Sequence, residues 1–275
     1  MPVPKLAFPL FFITCWSLSS QLNGQLQYPI DVAVSGDDLI VVDRNLPGIF
    51  RVASDGALSE VFKASKKFRT PLNAVRCVAV SADGDLFFGD SSTRQIYKFE
   101  GAKPIPILTN RVGIGVPYAM VFDKGGNLFV SDLEAPGRIY KIPAGETEPQ
   151  QFAIQPAVRG LAIDQDGNLI AVTGLKEAVL KFTPDGKRSV LIDNRPFEFP
   201  NSLLIKGDAM YVSDSYKKCV WKIGSDLKPV AWCVEGISYP GGMAIGESDV
   251  LVTDSKAKKV FRISPEGKAV EVEIK

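Results

Sequence analysis

Four polar residues recur at nearly equal intervals along the chain and together could bind an anion. These are Arg76, Tyr118, Arg159 and Asn201. Guanidinium groups bind carboxylate, sulfate or phosphate through paired hydrogen bonds, and a hydroxyl and an amide can serve as neutral partners. With Asp31 nearby in the same pattern, we predict an anion-binding site. The alternative is that Arg76 pairs with Asp31 and that both side chains merely plug the space between them.

A second series of polar residues is more regular in type. Each member ends a short apolar run, such as LFVSD or MYVSD, and the series comprises Asp43, Asp90, Asp132, Thr173, Asp214 and Asp254. A carboxylate directly before a turn accepts hydrogen bonds from the backbone N–H groups of that turn. We therefore predict a structural role for these residues and no catalytic ring of carboxylates.

The chain contains no histidine. It therefore lacks the usual general base at neutral pH and the commonest zinc ligand. No serine lies in a G-x-S-x-G setting with a base to activate it. We expect no catalytic residue, no metal site and no cofactor, and a binding function is favoured over an enzyme.

The segment over residues 1–24 has the pattern of an export signal. Lys5 precedes a mostly apolar run over residues 6–16, and mainly small and polar residues follow up to Gly24. This run is short for a membrane span. We predict a signal peptide over residues 1–24 and a secreted or periplasmic chain over 25–275, with an uncleaved anchor as the alternative.

The remaining chain is close to neutral. Removing residues 1–24 removes Lys5 and no acid, so 32 cations become 31 against 31 acids. No global positive field would attract nucleic acid or an anionic membrane. No later apolar stretch is long enough to span a membrane. We also expect the chain to be a monomer.

A short motif recurs six times: apolar, large apolar, cation, apolar. Its cations are Arg51, Lys98, Lys141, Lys181, Lys222 and Arg262. They lie about 40–50 residues apart, which is the period of one propeller blade. Two further apolar runs precede each motif and are joined to each other by a tight turn such as Asp-Gly, Gly-Gly or Gly-Asp. A weaker apolar run follows each motif.

Each repeated unit is a meander of four antiparallel strands that cannot bury both faces alone. Units of this kind must therefore pack face to face, and a closed ring of them is a propeller. We predict an all-β, six-bladed β-propeller with four antiparallel strands per blade, rather than an open solenoid or a sandwich.

The repeat places the varied polar residues at one level of the propeller. Aligned by their apolar cores, the innermost strands put six residues in one column: Ile30, Arg76, Tyr118, Arg159, Asn201 and Gly241. The strand starts converge on the mouth of the central channel, and the next column, which includes Asp31, is mostly small. The predicted ligand-binding residues are therefore Arg76, Tyr118, Arg159, Asn201 and Asp31.

The pattern P-x-[small]-apolar-A-apolar, D-G-N-L, V-S-D-S and R-I-x-K-F resembles the NHL repeat and the related senescence-marker-protein/gluconolactonase propellers. The resemblance covers residues 26–275. In gluconolactonases it implies a divalent cation held by one Glu, two Asn and one Asp. Asn201 matches one Asn; the acidic positions fall on Ile30 and Gly241, and the other Asn on Arg76 or Tyr118. The implied metal site is incomplete.

Two functional hypotheses follow from these residues. The first is a binding module that takes a small anionic molecule or a partner protein at the channel mouth. The alternative is a divergent gluconolactonase-like hydrolase that uses Asp31, Asn201 and Tyr118.

Two cysteines of the fifth repeat are equidistant from a turn centred on residue 226. Cys219 and Cys233 should therefore lie opposite each other on paired strands, at a separation compatible with a disulfide. An exported chain permits such a bond. We predict a Cys219–Cys233 disulfide, with two free buried thiols as the alternative.

Overall fold

The computed structural model describes residues 25–65, 67, 69–109 and 114–275. The predicted signal peptide, residues 1–24, lies outside the described residues. Across the described ranges the chain forms 24 strands, and none of these residues belongs to a helix long and apolar enough to cross a membrane.

The first three blades use residues 29–154. Their strands are β1 (Pro29–Ser35), β2 (Asp38–Asp43), β3 (Gly48–Val52) and β4 (Leu58–Lys63); β5 (Val75–Val80), β6 (Leu86–Asp90), β7 (Gln95–Glu100) and β8 (Lys103–Pro106); β9 (Pro117–Phe122), β10 (Leu128–Asp132), β11 (Arg138–Ile142) and β12 (Gln150–Ile154).

The last three blades use residues 158–271. Their strands are β13 (Val158–Ile163), β14 (Leu169–Thr173), β15 (Glu177–Phe182) and β16 (Arg188–Asp193); β17 (Pro200–Lys206), β18 (Ala209–Asp214), β19 (Cys219–Ile223) and β20 (Pro229–Cys233); β21 (Pro240–Ile245), β22 (Val250–Asp254), β23 (Lys259–Ile263) and β24 (Ala269–Glu271).

Each blade is a sheet of four consecutive strands paired antiparallel in chain order. The predicted six-bladed propeller is confirmed. Gly84 and Gly126 adopt positive φ in the turns between first and second strands, the conformation that a tight hairpin requires and that glycine adopts without strain. The repeated cation motif forms the third strand of every blade.

The hydrophobic core lies between neighbouring blades. Ile40 and Val42 of the first blade, for example, share a buried cluster with Val78 and Phe88 of the second. Burial of these interfaces supplies the main driving force for assembling the ring, because no single sheet can cover both of its own faces.

The ring closes by packing between the last and first blades. Leu26, Phe50 and Leu251 belong to one buried cluster that spans these two blades. The backbone N–H of Lys275 donates to the carbonyl of Gly56. Because β21–β24 follow one another in sequence, no N-terminal strand from the described residues completes the sixth sheet.

The strand-end aspartates have the structural role that their position predicts. The carboxylate of Asp43 accepts the backbone N–H groups of Gln27 and Tyr28 on one side and of Asn45 and Leu46 on the other. Such a carboxylate joins the turn after the second strand to the segment that leads into the innermost strand. Thr173 replaces this arrangement with bonds to Glu177 and Leu175.

The predicted disulfide is not formed, and the structure corrects the register on which the prediction rested. Cys219 and Cys233 are buried free thiols. Cys233 pairs with Val220, and a bulge at Trp232 shifts the register from there. Equal distance from the turn therefore does not place the two cysteines opposite each other. Burial raises the pKa of Cys219 to about 12 and that of Cys233 to about 11, so both remain protonated thiols.

Candidate functional site at the channel mouth

All six innermost strands carry a β-bulge at their start, where they pair with the second strand. The residues that the register passes over include the whole predicted column: Ile30, Arg76, Tyr118, Arg159, Asn201 and Gly241. A bulge leaves one residue out of the ladder and redirects its side chain. In this ring, the bulges direct the varied column into the channel.

A cavity of about 570 Å³ occupies the propeller axis. All five predicted ligand-binding residues, Asp31, Arg76, Tyr118, Arg159 and Asn201, line it. Cavities that hold small molecules in proteins typically measure about 300–1,000 Å³. The five residues therefore share one space of suitable size for a small ligand.

Arg159 is held in place by aromatic and polar contacts. Its Cζ lies 4.0 Å from the ring centroid of Phe199, and its Nη1 donates to Tyr118 Oη at 3.4 Å. Tyr118 Oη in turn donates to Asn201 Oδ1 at 3.2 Å, and Asn201 Nδ2 donates to the Pro240 carbonyl at 2.9 Å. These contacts link the third, fourth, fifth and sixth blades and orient the guanidinium before any ligand arrives.

Arg76 is held separately, on the second blade. Its Nε donates to Ser91 Oγ at 2.9 Å, and it forms no ion pair with Asp31. The structure therefore gives no support to a plug made from Arg76 and Asp31. Burial and the positive charge of Arg44 lower the pKa of Arg76 from its usual value.

Arg44 is a site residue that sequence reasoning missed. It lines the cavity directly after the strand-end Asp43. The corresponding residues of the other blades are Ser91, Leu133, Gly174, Ser215 and Ser255. Aligning this position across the repeat would have identified Arg44 as the sole cation of its column.

Three aromatic residues at the mouth were also missed. Tyr28, Phe199 and Tyr239 line the cavity, and each directly precedes the first proline of an innermost strand. Phe199 stacks on Tyr216 with ring centroids 4.8 Å apart. The repeated aromatic-Pro dipeptide is the signal that could have revealed them.

The mouth carries uncompensated positive charge. Arg44, Arg76 and Arg159 form no ion pair in the described part of the chain, and residues 1–24, 66, 68 and 110–113 include no Asp or Glu. Among the described residues lining the cavity, Asp31 is the sole acid. Three guanidinium groups in one funnel repel each other unless an anion offsets their charge.

Asp31 itself is committed to the wall between blades. Its Oδ2 accepts the Val78 N–H of the second blade at 2.8 Å, and its Oδ1 accepts the Val32 N–H at 3.0 Å. A Cβ on Gly242 of the sixth blade would lie 1.9 Å from Asp31 Oδ1, so the glycine makes room for the carboxyl. Desolvation among these surrounding protein atoms raises the pKa of Asp31 to about 7.

Comparison with solved structures gives similar propellers at low sequence identity. Virginiamycin B lyase from Staphylococcus aureus has a TM-score of 0.68 at 17% identity, covering 90% of this chain and 85% of the lyase. A gluconolactonase from Xanthomonas campestris has a TM-score of 0.69 at 15% identity, covering 84% of each chain. The chain shares the six-bladed fold of gluconolactonase-like and streptogramin lyase propellers.

A chain of the nidogen/laminin complex has the same fold, with a TM-score of 0.63 at 20% identity over 74% of this chain and 78% of that one. Neither a protein-family model nor a curated sequence matches the chain. The resemblance inferred from the repeat is thus confirmed at the level of the fold.

The residues of this propeller do not fit the divalent cation that the resemblance implies. A hard cation needs several oxygen ligands, but Asn201 is occupied by Tyr118 and Pro240. Arg76 and Arg159 share the same cavity. No group of three His, Cys, Asp or Glu residues close enough to hold a metal occurs among the described residues. The guanidinium groups of the cavity suit an anion better than a cation.

Proposed function

We propose that this chain is a binding propeller whose channel mouth takes the anionic group of a small molecule. Arg159 and Arg76 donate charge-assisted hydrogen bonds to the anion, Arg44 adds positive charge, and Tyr118 and Asn201 position Arg159. The observation that carries the proposal is the convergence of three arginines without an acidic partner.

The orientation of Arg76 and Arg159 supports specific binding of an anion rather than a general electrostatic attraction. Both are oriented by their neighbours, Arg76 by Ser91 and Arg159 by Phe199 and Tyr118. Pre-orientation reduces the entropy that a side chain loses on binding. A partner protein is the other occupant that the sequence allows, but a cavity enclosed between six strands favours a small ligand.

Lyase activity is not supported by the residues present. A virginiamycin B lyase with histidine replaced by alanine is described as catalytically inactive, and this chain has no histidine.

We also propose that the chain is exported, on the pattern of residues 1–24. The intact mass of the secreted protein should correspond to a chain that starts near Gln25. Retention of the segment before Gln25 would contradict the proposal.

The test is thermal unfolding of the full chain with inorganic phosphate, sulfate, acetate and citrate. At least one anion should raise the melting temperature, because a ligand that binds only the folded state stabilises it. Arg159→Gln and Arg76→Gln should each lower the affinity for that anion about tenfold or more, since each charge-assisted hydrogen bond contributes about 1.5–3 kcal/mol. Arg262→Gln, on the third strand and outside the cavity, is the matched control. Failure of every anion would reject the proposal.

A second candidate is a divergent hydrolase, and one observation favours it. Asp31 lines the same cavity as Tyr118 and Asn201, and its pKa of about 7 is suited to a general base at neutral pH. Hydrolysis of sugar lactones by the purified protein, abolished by Asp31→Asn, would support this candidate. Turnover that persists in Asp31→Asn would exclude the role of Asp31.

A further inference from the structure

The channel changes character sharply below its mouth. The fifth residue of each innermost strand, counted from the bulge, is apolar in all six blades: Val34, Val80, Phe122, Ile163, Ile205 and Ile245. Phe122, Ile163, Ile205 and Ile245 line the same cavity as Arg76 and Arg159. Four residues further along a strand correspond to a depth of about 13 Å.

This apolar end is not fully covered by the protein. Ile245 is 47% exposed, and Phe122, Ile163 and Ile205 are partly exposed. The third residues of the same strands, such as Leu161 and Leu203, also line the cavity but are buried, at 5% and 4% exposure. The four fifth residues that line the cavity thus present apolar surface to the channel that a ligand could remove from water.

We propose that the ligand is an amphipathic anion, with its charged group at Arg76 and Arg159 and an apolar body in the lower channel beside Phe122, Ile163, Ile205 and Ile245. This inference rests on the proposed function, since it places the anionic group at the same mouth. The cationic mouth selects the charge, and the lower channel selects an apolar chain or ring over a fully polar anion. A small polar anion would leave the apolar end in contact with water.

The test is calorimetric titration of the full chain with acetate, hexanoate and octanoate, and with 1-octanol as the uncharged counterpart of octanoate. Each methylene that leaves water should tighten binding up to about fourfold. Octanoate should therefore bind at least about 100-fold more tightly than acetate. It should also bind at least tenfold more tightly than 1-octanol, because the alcohol lacks the charge.

Substitutions separate the two halves of the ligand. Ile245→Asn and Ile205→Asn should lower the affinity for octanoate about tenfold and leave the affinity for acetate unchanged. Arg159→Gln should lower the affinity for both. Ile245→Asn changes a side chain that is already half exposed, so it should fold even if Ile205→Asn does not. Val230→Asn, at a 63% exposed residue on the outer strand β20, is the matched control.

The results distinguish the amphipathic ligand from the proposed anion-binding function on which it rests. If acetate or phosphate binds but lengthening the chain gives no gain, the amphipathic ligand is wrong and the anion receptor stands. If octanoate and 1-octanol bind equally and Arg159→Gln has no effect, both are wrong. If no anion binds, the proposed function fails first.

Discussion

Asp214 ends β18 and Asp31 lies near the start of β1, and the two carboxyl groups differ in the number of backbone N–H groups that they accept. The Asp214 carboxylate is fully buried and accepts four backbone N–H groups, from Glu198, Phe199, Tyr216 and Lys217. Asp31 accepts two, from Val32 and Val78. Four donors compensate the loss of water around a charge far better than two.

The difference explains which residues recur in the repeat. The turn that Asp214 organises is needed in each blade, so the same residue type serves in five of the six, with Thr173 in the fourth. The positions of Asp31 and its neighbours face a shared channel and can vary without disturbing a turn. A constant residue in the repeat marks the fold, and a varied one marks the candidate site.

The largest expected effect is the loss of a strand-end aspartate. Asp214→Ala removes the acceptor of four partly buried backbone hydrogen bonds, and each such bond contributes about 1 kcal/mol or more. We expect the free energy of unfolding in urea titration to fall by at least about 4 kcal/mol on this accounting. Thr173→Ala, which loses two bonds at the equivalent position, should cost less; equal losses would contradict the accounting.

The next effect is a pH dependence that Asp31 contributes. Its pKa is about 7 in the folded chain, against 3.8 for an unperturbed aspartate, so the folded state binds the additional proton. Its contribution to stability is therefore full below about pH 4 and falls as pH rises to about 7, by up to about 4 kcal/mol. Asp31→Asn should remove this fall when urea unfolding is measured from pH 5 to 8. An unchanged pH profile in Asp31→Asn would show that the carboxyl ionises normally.

A smaller loss should follow from filling the close contact at Gly160, which takes the position equivalent to Asp31 in the fourth blade. A Cβ there would lie 2.4 Å from the backbone nitrogen of Leu203 in the fifth blade. Gly160→Ala should lower stability by about 1–3 kcal/mol. Gly174→Ala, where a Cβ would meet nothing within 4 Å, is the control and should change little in the same urea titration.

The smallest expected effect is that of Arg76→Ala on the ligand-free protein. Arg76 has no acidic partner among the described residues and its side chain bonds Ser91, so stability should change by less than about 1 kcal/mol. Removing a positive charge near Arg44 should offset part of that loss. A decrease in stability well beyond one hydrogen bond, above about 2 kcal/mol in thermal unfolding, would instead restore the plug formed with Asp31.

Much of the fold could be predicted because its information is local. Each blade is a meander of adjacent strands with short turns, so its pattern is contained in about 40 consecutive residues, and the six copies support one another. The column of Arg76, Tyr118, Arg159 and Asn201 also followed from the repeat. The same alignment marks Arg44 as the sole cation of its column, but the proximity of Arg44 to Arg76 arises only between two blades of the folded ring.

The cysteine pair shows where local reasoning stops. Counting from the turn at residue 226 assumes an unbroken ladder, and the bulge at Trp232 moves Cys233 opposite Val220. Bulges reflect how strands twist and pack within the finished sheet, which a sequence pattern with a period of two residues does not encode.

The sequence by itself determined the number of blades, the strand order and the residue types at the channel mouth, because hydrophobic alternation and turn chemistry act over a few residues. Only the tertiary structure decided which arginines lack acidic partners, how Phe199 and Tyr118 orient Arg159, and that desolvation raises the pKa of Asp31 to about 7. These properties depend on distances and desolvation among side chains that lie far apart in the chain and that ring closure alone brings into one cavity.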